Sequence, residues 1–478
     1  MRSFLYLCVL SFFLSCVVAD NTAQTSVVQN WNGQINSVPL AILTPANLTE
    51  LQSIIQFASA NSIEVKVTGA SHSFSGIFQT NGYLLKLTNI DAVTILDPVN
   101  LVVRAQAGIT INALDTFLTA NGMAIPTGTV IDDITLGGSV AAGCHGAGKN
   151  YGLVADLVVQ MRIVDSNGIL QTYSGFELNT VKVNLGLFGV IYDIDLQLVP
   201  AQNLQVSAQS YPYNTTITGP ALQGYFNAYA SLEVYTFPFA PTVQVRTTNP
   251  STAPSNFNYT AYVEAGEATV ATGLAYAPLF ESSPDTLYYI ATSGEFTIFA
   301  NMVGVWPMWA AVHYGYGLQG GPAFFNPEYV RGFNNNPTDW ATNAAMINYL
   351  TNLNNYYFFT YGQAPVTYGL DIRFTASSDA TLSPCNVNYD YCMWIDILLG
   401  VNAAGTTNYM NEIYPVLTAA PYNAAPHWAK TWSQIPKSQN LKIAEVLAYR
   451  AISDVDPKNM YVNDAMFRVF VDDFASFL

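Results

Sequence analysis

The stretch from Lys66 to Ser75, KVTGASHSFS, constrains the fold of this chain more than any other segment. Val65 and Val67 alternate with polar residues, which predicts a half-buried strand, and this pattern ends at Gly69. A turn of small residues after a strand lets successive backbone N–H groups converge on an anion such as a phosphate. Taken alone, the segment also fits an ordinary β-turn with a surface histidine, His72.

Composition limits the class of partner. The chain has 478 residues, of which half are apolar and a tenth are charged, and its formal net charge is −16. This length is enough for two or three domains with large cores. The acidic balance argues against nucleic acid and against anionic membrane surfaces, so we expect neither as a partner.

The N-terminus and the cysteines indicate an oxidising compartment. Residues 1–19 predict a secretory signal peptide, with an uncleaved anchor or a location in the endoplasmic reticulum as the alternative. Asn-x-Thr sequons at Asn47, Asn214 and Asn258 fit a secreted glycoprotein. Cys385 and Cys392 could pair there, which would leave Cys144 single, and we expect no metal site because no metal-ligand spacing occurs.

Strands and helices alternate through the first 200 residues, which predicts an α+β or α/β domain. Hydrophobic periodicity predicts helices at 45–60, 111–121 and 440–452, and strands at 63–67, 83–87, 101–106, 153–164, 185–198 and 368–375. Residues 201–360 are rich in Tyr, Asn, Thr and Phe and indicate strands and long loops of a second domain. The apolar run 302–312 is interpreted as core or as a patch beside the site.

A glycine-rich segment, Pro126 to Gly148, holds six glycines in 23 residues. Such a segment lets a flat ligand approach the backbone, although a small-residue helix packed on a sheet would give the same pattern. Gly143 to Lys149 fits the start of a phosphate-binding P-loop. However, Asn150 stands where Ser or Thr would hold magnesium, which argues against a nucleotidase.

Two later motifs place charged residues together. Asp371 and Arg373 fall on one face of the strand at 368–375, so the acid can orient the cation if that face lines a cavity. A solvent-facing ion pair is the alternative. Pro426 to Lys430, PHWAK, groups a histidine, an indole and a lysine, and a surface loop is again the alternative.

Taken together, these stretches resemble the flavin-dependent sugar-lactone oxidases, the group of L-gulonolactone oxidase and D-arabinonolactone oxidase, within the vanillyl-alcohol-oxidase-like fold. The family turn Gly-x-Gly-His-Ser appears as Gly69 to Ser73, with Ser71 in place of the second glycine. The other family motifs match at Gly137 to His145 (with Cys144 for the usual threonine), Leu185 to Val190, Asp371 to Phe374 (with Asp371 for the usual glutamate), Leu382 to Cys385, Pro426 to Lys430, and 456–463.

The resemblance implies a two-domain α+β flavoprotein that binds FAD. It implies a signal peptide at 1–19, an FAD-binding domain at 20–200, a substrate domain at 201–430 and a C-terminal segment at 431–478 that returns to the FAD domain. His72 matches the histidine that tethers the flavin covalently in many members. The implied cofactor-binding residues are Gly69, Ala70, Ser71, His72, Ser73, Thr129, Gly137, Gly138, Ser139, Gly143, His145, Gly189 and Val190.

The implied reaction is oxidation of a secondary alcohol beside a lactone carbonyl, with hydride passing to the flavin. Arg373 and Lys430 match the family's cations, one for the flavin edge and one for the substrate oxygen. Asp371 would position Arg373 or a substrate hydroxyl, and His427 would be a partner of Lys430. Thr129 stands where a small residue influences oxygen access, and we expect O₂ as the acceptor with H₂O₂ as product.

Two other readings stay open. A polyol or oligosaccharide oxidase, or a lactone dehydrogenase, would use the same fold and flavin chemistry. A non-catalytic secreted binding module would explain why four motif positions differ from the family pattern: Ser71, Thr129, Cys144 and Asp371.

Overall fold

The structure is a computed structural model that describes residues 27–293, 302–314, 324–385, 388–432 and 437–467. The predicted signal peptide at 1–19 therefore lies outside the described residues. Helices and mostly antiparallel sheets occur along the whole described chain, which confirms the α+β class. Within these residues, no helix is both long enough and apolar enough to cross a lipid bilayer.

The strands of the first 200 residues are β1 (Val28–Gln29), β2 (Asn36–Ser37), β3 (Ala41–Leu43), β4 (Val65–Val67), β5 (Tyr83–Leu85), β6 (Val93–Asp97), β7 (Val102–Gln106), β8 (Met123–Ala124), β9 (Val158–Val164), β10 (Leu170–Ser174), β11 (Val190–Gln197) and β12 (Val199–Pro200). The helices are α1 (Leu48–Ala60), α2 (Ile111–Ala120), α3 (Leu136–Ala141) and α4 (Gly175–Val181). Strands β3, β5 and β4 form a parallel sheet, and β10, β9, β11, β7 and β6 form an antiparallel sheet.

The predicted helices α1 and α2 are confirmed, and each begins where a side chain caps it. Asn47 accepts a hydrogen bond from the Glu50 N–H, and Thr110 does the same for Ala113. Two predicted strands start later than expected. Residues 154–157 form a 3₁₀ turn, and residues 185–189 form a turn that includes Leu185 with φ +53° and Gly189 with φ +130°.

A large antiparallel sheet dominates the second half of the chain. Its strands are β13 (Asn203–Pro212), β14 (Ser231–Thr236), β15 (Thr242–Ser251), β16 (Gly304–Pro307), β17 (Phe324–Phe325), β18 (Glu328–Phe333), β19 (Gly369–Ala376), β20 (Tyr391–Gly400) and β21 (Ala425–Pro426). The order is β16-β13-β15-β14-β19-β20-β18-β21, and β17 also pairs with β20. The order places β14 and β18, which are distant in sequence, on either side of the consecutive strands β19 and β20.

Helices also occur in the second half of the chain, which corrects the expectation of strands and long loops between 201 and 360. The described helices there are α5 (Tyr213–Thr216), α6 (Gly219–Ala228), α7 (Tyr259–Ser282), α8 (Pro284–Ser293), α9 (Met308–Val312), α10 (Pro337–Tyr361), α11 (Thr406–Thr418), α12 (Lys437–Ile452) and α13 (Asp464–Phe467). The signals for α10 are visible in the sequence. Asn336 caps it, Pro337 occupies its first turn, and Gly362 ends it with φ +63°.

The C-terminal segment packs against the start of the chain. The Val65 N–H donates to Met460 O at 2.9 Å, and Lys66 Nζ donates to Tyr461 O at 3.1 Å. Further along the segment, Asn463 donates to the backbone of residues 76–79. The last described part of the chain therefore supports β4, the strand that leads into the small-residue turn.

Cys385 and Cys392 form a disulfide, with their Cα atoms 6.0 Å apart. This resolves the pairing that the sequence left open. Cys144 is the free cysteine of the described chain.

Candidate functional site

A cavity of about 1340 Å³ lies between the first-half sheets and the large sheet. On one side it is lined by residues 65–74, by α3 and the segment up to His145, and by the turn at 184–189. On the other side it is lined by charged side chains of β14, β18, β19 and β20 and by Lys430. This volume exceeds that of a typical small-molecule pocket, so it can hold a large cofactor together with a substrate.

The turn after β4 presents backbone donors to this cavity. Among the described residues, the N–H groups of Gly69, Ala70, Ser71 and Ser73 have no hydrogen-bond acceptor. Ser71 has φ +57°, the left-handed conformation that suits the glycine expected at this position, and its hydroxyl is 2.8 Å from the Thr68 hydroxyl. Ser71 therefore adopts the backbone conformation that glycine would have at this position, and the turn can receive an anion.

His72 lies at the cavity wall and is half-buried. Its ring stacks on Trp31, with ring centroids 5.5 Å apart and an interplanar angle of 24°. The Trp31 N–H donates to Ser71 O at 3.0 Å, so the same residue holds both the turn and the histidine ring. The imidazole is thus in a fixed orientation beside the predicted flavin site.

The small-residue segment forms helix α3, as the alternative interpretation expected, and it also lines the cavity. A side chain at Gly137 would lie 2.8 Å from the Ala107 Cβ, and one at Gly69 would clash with Thr135. Among the predicted cofactor-binding residues, those at the cavity wall are Gly69, Ala70, Ser71, His72, Ser73, Thr129, Gly137, Gly138, Ser139, His145 and Gly189. Two predicted residues are corrected. Gly143 and Val190 are buried behind the wall, where Gly143 forms a turn with φ +73° and Val190 begins β11.

Thr129 is held by a buried histidine. The Nδ1 atom of His313, which follows α9, lies 2.6 Å from Thr129 O, and its Nε2 atom lies 3.3 Å from Asp115 Oδ2. Burial raises the pKa of Asp115 to about 6, although the electrostatic interaction with His313 opposes this. His313 therefore connects Asp115 of α2 with the backbone of Thr129 and holds that backbone in place.

We expect Asp115→Asn to change the pH dependence of stability. Because the folded protein binds this proton more tightly than the unfolded chain, the free energy of unfolding contributed by Asp115 falls by about 3 kcal/mol as the pH rises from about 4 to above 6. Asparagine does not titrate, so the stability of the variant relative to wild type should rise over that range. Urea unfolding at pH 4, 5, 6 and 7 measures this difference, and a difference independent of pH would contradict it.

Arg373 is the centre of a buried charged cluster on the large sheet. Its guanidinium forms an ion pair with Asp396 of β20, lies 3.5 Å from Glu328 Oε1 of β18, and lies 3.4 Å from Asp371 Oδ2. Burial lowers the pKa of Arg373, but the carboxylates of Asp371, Asp396 and Glu328 outweigh it and raise the pKa. Arg373 is therefore a fixed permanent cation at the cavity wall, as the strand pattern predicted.

Lys430 supplies a second cation next to the first. Its Nζ atom lies 2.8 Å from Asp396 Oδ1 and 3.9 Å from Glu328 Oε2. Burial lowers the pKa of Lys430, but the Asp396 and Glu328 carboxylates raise it by a larger amount. The pKa of Lys430 is therefore above its usual value. Asp396 thus bridges Lys430 and Arg373 and holds the two cations at neighbouring positions.

Two histidines stand behind these cations. His145 Nε2 lies 2.9 Å from Glu328 Oε1, and its ring stacks on Trp394 at 3.7 Å. The ring of His427 bonds to main-chain groups, because Nε2 lies 3.1 Å from Gly143 O and Nδ1 accepts from the Ala429 N–H. His427 Nδ1 also lies 3.9 Å from Glu328 Oε2, the same oxygen that lies 3.9 Å from Lys430 Nζ, so His427 is related to Lys430 through Glu328. Burial lowers the pKa of His145 and, for His427, lowers it to about 4.

His145, Glu328 and His427 lie close enough together to suggest a metal site. Their donor atoms have other partners. The Nδ1 atom of His427 accepts from Ala429, and Glu328 faces Arg373 and Lys430. Arg373 and Lys430 therefore supply the positive charge that faces the Glu328 carboxylate.

The sequence analysis missed three acids of this site, Glu233, Glu328 and Asp396. All three are buried, with exposed fractions of 1%, 0% and 4%. Each is an isolated acid in or beside an apolar strand, which is a useful signal in a chain with so few charged residues. Their common target could not be read from the sequence, because it depends on which strands are neighbours.

The cavity fits FAD. It offers a turn with free backbone donors for a diphosphate and a half-buried histidine at the wall. Permanent cations at the far wall suit a group that becomes negatively charged when reduced.

Comparisons with known proteins agree with this geometry. The FAD binding domain family matches residues 39–174, and the D-arabinono-1,4-lactone oxidase family matches residues 194–469. The chain is 23% identical over 462 residues to L-gulonolactone oxidase of Scyliorhinus torazame, covering 92% of this chain and 98% of that protein. It is 29% identical over 182 residues to a putative D-arabinono-1,4-lactone oxidase of Neurospora crassa, covering 37% of this chain and 33% of that protein.

Solved structures show the same fold. Cholesterol oxidase from B. sterolicum matches with a TM-score of 0.76 at 17% identity, covering 93% of this chain and 96% of that chain. 6-Hydroxy-D-nicotine oxidase from Arthrobacter nicotinovorans matches with a TM-score of 0.62 at 15% identity, covering 92% and 97%. Since the lactone-oxidase match spans more than half of the chain and follows an FAD-binding domain, this protein belongs to the D-arabinono-1,4-lactone oxidase family of FAD-dependent oxidoreductases.

Proposed function

We propose that this protein is a secreted oxidase that oxidises a sugar 1,4-lactone of the L-gulono or D-arabinono type and reduces O₂ to H₂O₂. The observation that carries the proposal is the pair of fixed cations, Arg373 and Lys430, beside Asp371 at the wall of an FAD-sized cavity. The names of the relatives support the substrate class. Oxygen is the proposed acceptor because a secreted enzyme has few alternative acceptors available.

The residues divide the work as follows. Backbone N–H groups of the 69–73 turn would hold the diphosphate of FAD, and His72, at the cavity wall, would supply the imidazole of a covalent link to the cofactor. Bound FAD supplies a two-electron acceptor for hydride. Arg373 and Lys430 stabilise the negative charge that develops during the reaction. Asp371 has a buried oxygen, Oδ1, without a hydrogen-bond partner among the described residues, and this oxygen is the acceptor for the substrate hydroxyl.

The test is an absorbance spectrum followed by a substrate panel. The purified protein should show flavin bands that stay with the pellet after acid precipitation. The panel should include L-gulono- and D-arabinono-1,4-lactone, alditols and oligosaccharides, each assayed for H₂O₂. Absence of flavin even after reconstitution with FAD would overturn the oxidase and leave a binding module.

We expect His72→Ala to lose all acid-stable flavin, because the variant lacks the imidazole that forms the link. Wild-type protein precipitated in parallel is the control. Flavin that stays with the His72→Ala pellet would contradict a link at His72. Flavin that leaves the wild-type pellet would show that the cofactor is bound without a covalent bond, and the oxidase would stand.

A second candidate is a dehydrogenase of the same lactones. L-gulono-1,4-lactone dehydrogenase of Mycobacterium tuberculosis is 27% identical over 219 residues, covering 46% of this chain and 51% of that protein. Thr129, where the family pattern has a smaller residue, favours this candidate if its side chain restricts O₂. Lactone-dependent reduction of an artificial dye without H₂O₂ formation would select it.

A further inference from the structure

Glu233 has no part in the chemistry derived so far, yet it lies at the cavity wall next to the proposed reaction centre. It is on β14, directly opposite Arg373 of β19, while Tyr235 is opposite Asp371. On neighbouring strands, side chains at such diagonal positions are within reach of each other. The Glu233 and Asp371 carboxyl groups are therefore close enough to form a hydrogen bond across the two strands.

A hydrogen bond between two carboxyl groups requires a proton, because ionised carboxylates have only acceptor atoms. Charge balance points the same way. Four carboxyls of the cluster, Glu233, Glu328, Asp371 and Asp396, face three permanent cations, Arg246, Arg373 and Lys430. An uncompensated charge is costly in a buried site, and one added proton removes it.

The surroundings of Glu233 fix it in place. Arg246 Nη1 of β15 lies 3.4 Å from Glu233 Oε2, and the Tyr314 hydroxyl donates to Glu233 Oε1. Arg246 is itself held, because its Nη2 atom donates to Ala311 O at 2.5 Å and its guanidinium lies 3.8 Å from the centre of the Tyr314 ring. This support leaves Glu233 few ways to move, so it can act on Asp371 with a constant geometry.

We propose that Glu233 and Asp371 share one proton and act as a single proton-accepting unit toward the substrate hydroxyl, with Glu233 as the positioning residue. This inference rests on the proposed function. In the reaction, the O–H bond of the substrate breaks and a carboxyl O–H bond forms on the pair. The carbinol hydrogen leaves with its electron pair to the bound FAD, a C=O bond forms, and both carboxyls are then neutral.

The short side chain of Asp371 explains why a second carboxyl group is found beside it. Its side chain is one methylene shorter than the glutamate that the family pattern has there, and a glutamate on the adjacent strand approaches it from the side. Burial, followed by the negative charge of Glu233, raises the pKa of Asp371 well above its usual value, while burial raises that of Glu233. Both directions agree with a retained proton.

Several groups face the pair and contribute to its titration. They are Arg373 on β19, Arg246 on β15, Tyr235 on β14, Tyr314 after α9, Asp396 on β20, Glu328 on β18 and, through Asp396, Lys430. A test must therefore change one member of the pair without changing these neighbours.

The first test is the pH profile of kcat/KM for Glu233→Gln. Glutamine keeps the size of the side chain, cannot ionise and offers an N–H donor to the Asp371 carboxylate. The acidic limb reports protonation of Asp371 beside a neutral neighbour in both proteins, so it should stay in place. The raised pKa at which the wild-type pair loses its shared proton should disappear from the alkaline side of the profile, because no ionisable partner remains. A profile that keeps its wild-type shape and shows only a uniform loss of activity would indicate a merely structural role and overturn the proposal.

The matched control is Glu412→Gln. Glu412 accepts a hydrogen bond from the Tyr357 hydroxyl at 3.0 Å and lies on α11, outside the cavity wall. The same chemical change there should leave the alkaline transition of the profile in place. Loss of that transition in this variant too would mean that it reflects net charge rather than the pair.

The second test needs no substrate. Infrared spectra of the protein at pH 8 should show the C=O stretch of a protonated carboxyl, and this band should disappear in both Glu233→Gln and Asp371→Asn. A band that survives either substitution would overturn the shared proton. If the wild type oxidises no lactone but the band behaves as expected, the proposed function fails while the proton-sharing pair stands.

Discussion

Replacing Arg373 with leucine should cost both catalysis and stability. The variant loses the cation that touches Asp371, Glu328 and Asp396, so three buried carboxylates lose their common partner. Breaking such a buried pair typically lowers the free energy of unfolding by about 3–5 kcal/mol. The variant also lacks a cation that stabilises the negative charge developing in the transition state, and such a loss lowers kcat by about 10²–10³-fold.

Urea unfolding and steady-state kinetics measure the two effects, and Arg104→Leu is the matched control. Arg104 also pairs with a carboxylate, Asp195, at 2.6 Å, but its side chain is 29% exposed and lies on the first-half sheet. That variant should lose little activity and less stability than Arg373→Leu. Equal destabilisation by the two substitutions would contradict the central position of Arg373 in the buried cluster.

Replacing Lys430 with methionine should separate catalysis from stability. Lys430 is 21% exposed, and Asp396 keeps its ion pair with Arg373 in the variant, so the structural loss is smaller than for Arg373→Leu. The loss of charge should lower kcat by about 10²–10³-fold, because the missing interaction is strongest in the transition state. A rise in KM alone would assign Lys430 to substrate binding instead.

Lys430→Arg tests whether charge is what matters. Arginine keeps the positive charge with a different shape, so it should recover part of the activity that methionine loses. Arginine and methionine variants of equal activity would show that the ammonium group acts through its geometry and not through its charge.

The local part of this site was predictable from the sequence. The alternation that places Asp371 and Arg373 on one face of β19 is a property of eight consecutive residues. The small-residue turn at 69–73 and the PHWAK motif are equally local. In each case the chemistry lies within a few residues, so spacing alone indicates which side chains act together.

The remaining acids depend on strand order. Glu233 reaches Arg373 because β14 pairs with β19, and Asp396 reaches it because β19 pairs with β20. Glu233 and Arg373 are 140 positions apart in sequence and Asp396 is 23 positions from Arg373, and no periodicity within one segment shows that these side chains meet. The same reason explains His313, which meets Thr129 and Asp115 from a distant part of the chain.

Helix α10 was missed in the sequence analysis for a different reason. Its buried face carries Trp340, Ile347, Leu350 and Tyr357, which has the helical period, but asparagines and tyrosines alternate with these residues. Such residues have weak helix preference and obscure the apolar stripe. Its capping residues carried the signal more clearly than its interior did.

The contact between the two ends of the described chain has a consequence for biosynthesis. Strand β4 and the turn that follows it are supported by Met460 and Tyr461, and Lys66 is 395 residues away from Tyr461 in sequence. At about 5–20 residues per second, a ribosome needs roughly 20–80 s to make the intervening chain. During that time β4 and the turn that follows it lack their contacts with Met460 and Tyr461. Maturation of the site should therefore follow synthesis of the segment that contains Met460 and Tyr461, and a premature stop before Met460 should abolish it.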